Sequence, residues 1–177
     1  AITGHVPHLD ITRLEKDLKT ICETEIAFFD PKTKQAPVNR YVFLIMVVGN
    51  GYGGLEHRAS TALLCSRQAL PNTSTPEIDN NLSNDYVQFL GLCSHEYFHT
   101  WNVKRIKPAA FIPYQLNTEA DTRMLWLFEG FTSYFDDLIL RKSGLIDANT
   151  YLQLIAKTIN GIMLGKGYLR QSVADAG

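Results

Sequence analysis

The segment HEYFH, residues 95–99, has the residue types and spacing to do chemistry. On a helix, side chains four apart stand one turn above each other, so the imidazoles of His95 and His99 can face one ion. Zinc accepts nitrogen ligands at about 2.0–2.1 Å, and this pair would supply two of the three protein ligands of a catalytic site. Glu96 is rotated by about 100° from His95, beside the ion rather than on it. There a carboxylate can take a proton from water activated at the metal.

A third ligand must come from elsewhere. One known continuation of the motif needs a glycine at position 102 and a histidine at position 105. This chain has Asn102 and Arg105, which closes that route. His5, His8 and His57 precede the helix, and isolated histidines are more often surface or satisfied polar groups. Glu129 is the better candidate. It lies in LWLFEGFTSYF among Trp126, Leu127, Phe128 and Phe131, which predicts a buried helix. A carboxylate buried there is costly unless a dication or a basic side chain pairs with it. Asp136 follows seven residues later near the same face, where it could accept the second N–H of a ligand histidine. It reads equally as a solvated helix acid, with Asp137 as its competitor.

GNGYGGLEHR, residues 49–58, spells G-x-G-x-x-G at Gly49, Gly51 and Gly54 after an apolar run. That spelling can mark a dinucleotide-binding turn, provided a helix opens at the last glycine within a parallel βαβ unit. Here the glycines run into Glu56 and His57, which suit a pyrophosphate badly. The following segment leans toward strand, and near the required distance only Glu77 is acidic. A dinucleotide-binding domain is therefore the remote alternative.

These groups need elements to position them. A helix is predicted over residues 9–29, with Asp10 as cap and Ile11, Leu14, Leu18, Ile21 and Cys22 on one face. YVFLIMVV, residues 41–48, reads as a buried strand. The stretch 71–85 reads as a surface loop. A long helix should run from Asp85 to Lys107, stopped by Pro108, with Lys104, Arg105 and Lys107 at its C-terminal end. A second is expected over 119–143, capped by Thr118 with Asp121 and ended by Gly144. A third follows Asp147. Helices outnumber strands and do not alternate with them, so the class is α+β, a short β-sheet edge followed by a mainly helical portion.

The 177 residues suit one domain, and 17 basic against 18 acidic side chains leave a net charge of −1. That balance gives no pull toward nucleic acid or an anionic membrane. No apolar run approaches the roughly 20 residues of a membrane span. Cys22, Cys65 and Cys93 are too few and scattered for a disulfide framework, which favours a reducing, cytoplasmic compartment. The start without Met leaves an export leader open.

HEYFHTWNVKRIKP followed by LWLFEGFTSYFDDLILRKSGLI resembles the glycyl aminopeptidase family, within the thermolysin-like gluzincin group of zinc metallopeptidases. GGLEHRAST is similar to the same family, where GGLEH looks like the counterpart of an exopeptidase motif. The likeness runs from about Tyr41 to near the C-terminus, and three motifs in order are far more specific than one.

The resemblance implies a thermolysin-like catalytic domain with one Zn²⁺ held by His95, His99 and Glu129, and Glu96 as general base. Glu56 would bind the free α-ammonium of a peptide substrate, with the backbone of Gly53 and Gly54 along it. Small first residues such as Gly or Ala would be preferred. Family members also carry flanking β-rich, helical and PDZ domains and a downstream tyrosine that stabilises the oxyanion. This chain reads as a single, truncated catalytic domain ending before that tyrosine, and neither Tyr97, Tyr134 nor Tyr168 matches it. The expected consequence is metal retention with weak or absent cleavage. The rival from another class is a non-catalytic module on the same fold that captures peptide N-termini, although such a binder has no use for Glu96.

Overall fold

The computed structural model of the chain describes residues 1–74, 82–115 and 117–176. Helix α1, Ile11–Phe29, starts where Asp10 accepts a hydrogen bond from the backbone N–H of Arg13 at 2.9 Å. Its inward stripe holds Leu14 and Ile21 but also two buried acids, Asp17 and Glu25. Burying carboxylates requires partners. Tyr86 donates to Asp17 at 2.9 Å, as Arg13 does at 2.6 Å, and Ser94 donates to Glu25 at 3.0 Å.

Four strands form one mixed sheet in the order β1-β2-β4-β3. Strand β1, Ile2–Thr3, and strand β4, Ser60–Ser66, flank β2, Val42–Val48, in parallel. Strand β3, Tyr52–Glu56, is antiparallel to β4, pairing Gly54 with Leu63, and forms an edge of the sheet. Period-two alternation sends Ile45, Val47, Leu63 and Cys65 into the core. Leu44 and Met46 point the other way and are 47% and 55% exposed. The run YVFLIMVV is thus buried on one face only, a correction to the fully buried strand expected from its composition.

Helix α2, Asn84–Phe98, crosses the covered face of the sheet. Ser83 caps it by accepting from the N–H of Tyr86 at 3.2 Å, and 11 of its 15 residues are buried, so it has almost no free side. Phe89, Leu90 and Cys93 join Leu14, Ile21 and the sheet residues in one core with Ile139 and Leu140. Of the predicted loop 71–85, residues 75–81 lie outside the described residues, and Asn84 and Asp85 already belong to α2.

Two helix boundaries differ from expectation. The chain leaves the helix after Phe98 instead of continuing to Lys107, tightening through Thr100 N–H to Tyr97 and Trp101 N–H to Phe98. Tertiary contacts win there: Trp101 stacks on Phe29 of α1 at 4.5 Å between ring centroids. Residues 119–124 are not helical, so Thr118 and Asp121 cap nothing. Helical winding begins at Leu125 and passes through a wide π-type turn, Trp126–Gly130, into α3, Phe131–Lys142. Gly144 then reverses the chain with φ +78°, which suits a residue without Cβ. Helix α4, Ala148–Leu164, is capped by Asp147 and buries none of its residues. Sheet, covering helices and this order make the class α+β.

Candidate metal centre

His95 sits in the last turn of α2 and His99 at its C-cap, still in helical conformation at φ −61° and ψ −15°. The early end of the helix therefore leaves their one-turn spacing intact. Glu129 comes from the π-type turn. His95 Nε2 lies 3.0 Å from His99 Nε2 and 3.1 Å from Glu129 Oε2, and His99 Nε2 lies 3.5 Å from the same oxygen. A tetrahedral zinc site with bonds of about 2.1 Å has ligand–ligand edges of about 3.4 Å. The triangle has that size and the donor set, two imidazole nitrogens and a carboxylate oxygen, so these three residues could hold a metal ion. Among the described residues they are the one such cluster.

Both rings are oriented from behind. Asp136 Oδ2 lies 3.0 Å from His95 Nδ1, and the backbone carbonyl of Asn102 lies 2.9 Å from His99 Nδ1. Each acceptor holds a proton on Nδ1 and leaves Nε2 as the ring atom that faces the cluster. Ser94 Oγ bridges the Asp136 carbonyl at 3.1 Å and the buried Glu25. Of the two candidate acids, Asp136 is the one that meets a histidine, while Asp137 lines a neighbouring polar cleft with Tyr52 and Lys157.

Charge is concentrated here. Burial pulls the His95 imidazolium down, but hydrogen bonds to Asp136 and Glu129 outweigh it and raise its pKa to about 10. Those same histidine bonds hold Glu129 well below the usual carboxylate range. Burial raises the carboxyls of Glu96 and Asp136, and lifts Asp137 to about 7 with help from Asp136. In the metal-free protein the positive charge of His95 offsets part of the negative charge that a dication would neutralise.

Glu96 is 4% exposed and packs against the edge strand β3. A Cβ added at Gly54 would overlap its carboxylate, so this strand position needs glycine for a steric reason. Thr61 Oγ1 stands 3.4 Å from Glu96 Oε2, and Tyr41 donates to the Glu96 backbone carbonyl at 3.2 Å. Glu56, two residues beyond Gly54 and on the same face of the strand, ends at Lys104, whose Nζ is 3.0 Å from Oε1. The ion pair was not visible in the sequence, where Lys104 read as part of a basic helix end.

The glycine turn of the remote dinucleotide-binding alternative does not form, and the segment after Gly54 is strand, as its pattern leaned. After Gly54 the chain continues as strand β3 and turns directly into β4, with no helix opening at the glycine. Dinucleotide binding at Gly49–Gly54 is overturned by that topology. The setting of Glu129 is corrected too: its side chain is 47% exposed, and Leu125, Trp126 and Phe131 around it are also exposed. Apolar composition marked the turn as important without telling which side chains are covered.

A family profile described as M61 glycyl aminopeptidase matches residues 88–177, just over half of the chain. The chain belongs to the M61 glycyl aminopeptidase family. Among solved structures, the aminopeptidase N family protein from Idiomarina loihiensis is similar, at 49% identity and a TM-score of 0.90. The match covers 98% of this chain and 28% of that one, so the chain spans little more than a quarter of the length of its relative. No curated protein matches. Sequence reasoning missed Asn102, Lys104 and the buried Glu25. Only Glu25 had a signal: Leu14, Ile21 and Glu25 share one helical stripe, which places the acid inside.

Proposed function

We propose that this chain carries the metal-holding and proton-transferring part of a zinc aminopeptidase acting on peptides with a free N-terminus, small first residues such as Gly or Ala being preferred. The observation that supports this reading most is the meeting of His95 Nε2, His99 Nε2 and Glu129 Oε2 within 3.5 Å, with Glu96 held between that cluster and a sheet edge. When bound, zinc supplies Lewis acidity toward a carbonyl oxygen and toward water.

The residues divide the remaining work. His95, His99 and Glu129 hold the ion, and Asp136 fixes the His95 ring. Glu96, its carboxyl raised by burial, takes a proton from the attacking water and returns it to the departing amine. The backbone of Gly53 and Gly54 on the edge strand takes the substrate main chain as an added strand would. Glu56 lies about 6.8 Å further along that strand and receives the α-ammonium, which sets the cut one residue from the end. Lys104 engages one of its carboxylate oxygens in the free protein, so an incoming ammonium shares or displaces that contact.

The test is elemental analysis after zinc loading, together with hydrolysis of glycyl- and alanyl-anilides. One zinc per chain is expected, lost in Glu129→Ala. Cleavage by this chain is expected to be weak, and whatever turnover it shows should fall by at least 10²-fold in Glu96→Gln with zinc content unchanged. Turnover that survives this substitution would remove Glu96 as the base, and a protein that takes up no zinc would end the reading.

A further inference from the structure

Asp136 accounts for the orientation of His95, but neither it nor any other acid explains what fixes His99 and Glu129 relative to each other. We propose that Asn102 is the positioning residue for both. It rests on the metal reading above and adds a role for a residue outside the ligand set.

The geometry is specific. The Asn102 carbonyl lies 2.9 Å from His99 Nδ1, and a carbonyl can only accept. That contact holds one tautomer and aims Nε2 at Glu129. The side-chain amide of the same residue reaches the other way. Its Nδ2 donates to the Phe128 carbonyl at 3.2 Å and to Thr132 Oγ1 at 3.1 Å, while Thr132 Oγ1 donates to that carbonyl at 2.5 Å. The two acceptors lie so close together that one amide hydrogen is shared between them, and the amide, the hydroxyl and the carbonyl close a triangle of contacts. Phe128 immediately precedes Glu129, so fixing its carbonyl fixes where the Glu129 side chain leaves the turn.

The arrangement also explains a departure from the expected helix. If α2 continued past His99, the Asn102 carbonyl would point along the helix axis toward the following turn, away from the His99 ring. Ending the helix at Phe98 frees that carbonyl and turns the amide toward the π-type turn. Glu129 needs such a tether because its own turn buries little besides Phe128. The polar atoms of Asn102 therefore couple one ligand on a buried helix to another on an exposed turn.

Asn102→Ala keeps the backbone carbonyl and removes the amide, so it isolates the Glu129 side of the link. Asn102→Asp keeps the shape but sets a carboxylate oxygen against the Phe128 carbonyl. Zinc affinity is measured by competition with a chromophoric chelator on wild type, each variant, Glu129→Ala, and Asn102→Ala combined with Glu129→Ala. Both Asn102 variants should bind zinc roughly 10- to 100-fold more weakly, the range found for residues that orient metal ligands. Their cobalt-substituted spectra should move toward that of Glu129→Ala. In the double variant Asn102→Ala should add little, because the ligand it positions is already gone. Equal losses with and without Glu129 would mark a general structural role and overturn the proposal, as would wild-type affinity in both variants. If Asn102→Ala fails to fold, Asn102→Asp carries the same comparison. A wild-type chain that binds no zinc removes the metal reading and this proposal together, whereas normal wild-type binding with unchanged variants removes the proposal alone.

Discussion

Helix α2 and the turn Trp126–Gly130 contribute to one cluster from opposite surroundings. The helix buries 11 of its 15 residues, whereas the turn buries Phe128 and leaves Trp126 exposed. The two histidines are consequently set by the core, since α2 cannot shift without disturbing the sheet and α1. Glu129 has no such foundation. Its placement depends on hydrogen bonds through Asn102 and Thr132 and on attraction to the histidines. One half of the site is fixed by folding, and the other half is held by a few polar contacts that a metal ion would reinforce.

The strongest way to break the comparison is to weaken the rigid half. Leu90, on α2, is fully buried in the core that this helix shares with α1 and the sheet. Leu90→Ala should cost about 2–5 kcal/mol in stability, read from denaturant unfolding of the metal-free protein. A loss below about 1 kcal/mol would mean that α2 is not the foundation claimed. A smaller and more local disturbance is Gly54→Ala, which pushes a methyl into the Glu96 carboxylate. Misplacing a catalytic group by about 1 Å can cost roughly 10²-fold, so whatever anilide turnover the chain shows should fall by that factor with zinc content preserved. Unchanged turnover would show that Glu96 is not held where the proton must be taken.

Legibility in the sequence follows the same division. His95, Glu96 and His99 could be read because their relation is set by one helical turn, and Asp10, Asp147 and Gly144 because caps are local chemistry. The end of α2 could not, since it depends on Trp101 meeting Phe29 and Asn102 meeting Phe128, partners far away in the chain. The wide turn before α3 left no trace in the apolar pattern, and neither did the exposure of its aromatic residues. Glu129 was found for a partly mistaken reason. Its apolar neighbours pointed to burial, yet what distinguishes the carboxylate is that it meets two imidazoles. Asp17 and Glu25 stood on the inward stripe of α1 and were legible in principle, but Tyr86 and Ser94, which satisfy them, lie 69 positions on.

The two halves also respond to protons. In the metal-free protein the pKa of His95 stands at about 10 against an ordinary value of 6.5. A raised value means that the folded state binds this proton more tightly than the unfolded chain. The resulting stability is complete below about pH 6.5 and is lost as pH climbs through 10. A metal needs the neutral ring, so binding must expel the proton. Between pH 7 and 9 zinc affinity should rise about tenfold per pH unit, while the melting temperature of the metal-free protein falls. A flat affinity profile in chelator competition would mean that His95 is already neutral when the metal arrives.

The smallest effect should come from the exposed half. Trp126 is 41% exposed and tilted over Phe131, itself exposed, at 6.1 Å between ring centroids. Trp126→Ala should change the stability of the metal-free chain by no more than about 0.5 kcal/mol, as exposed substitutions usually do. That contrasts with Leu90→Ala, although both remove a large apolar side chain from an element that carries part of the cluster. The zinc affinity of Trp126→Ala should stay within about threefold of wild type, because the tether to Glu129 runs through the Phe128 carbonyl and not through the ring. A loss of several kcal/mol would show that the aromatic face is part of the foundation. The turn would then be preset like α2, and the division between a folded half and a tethered half would fall.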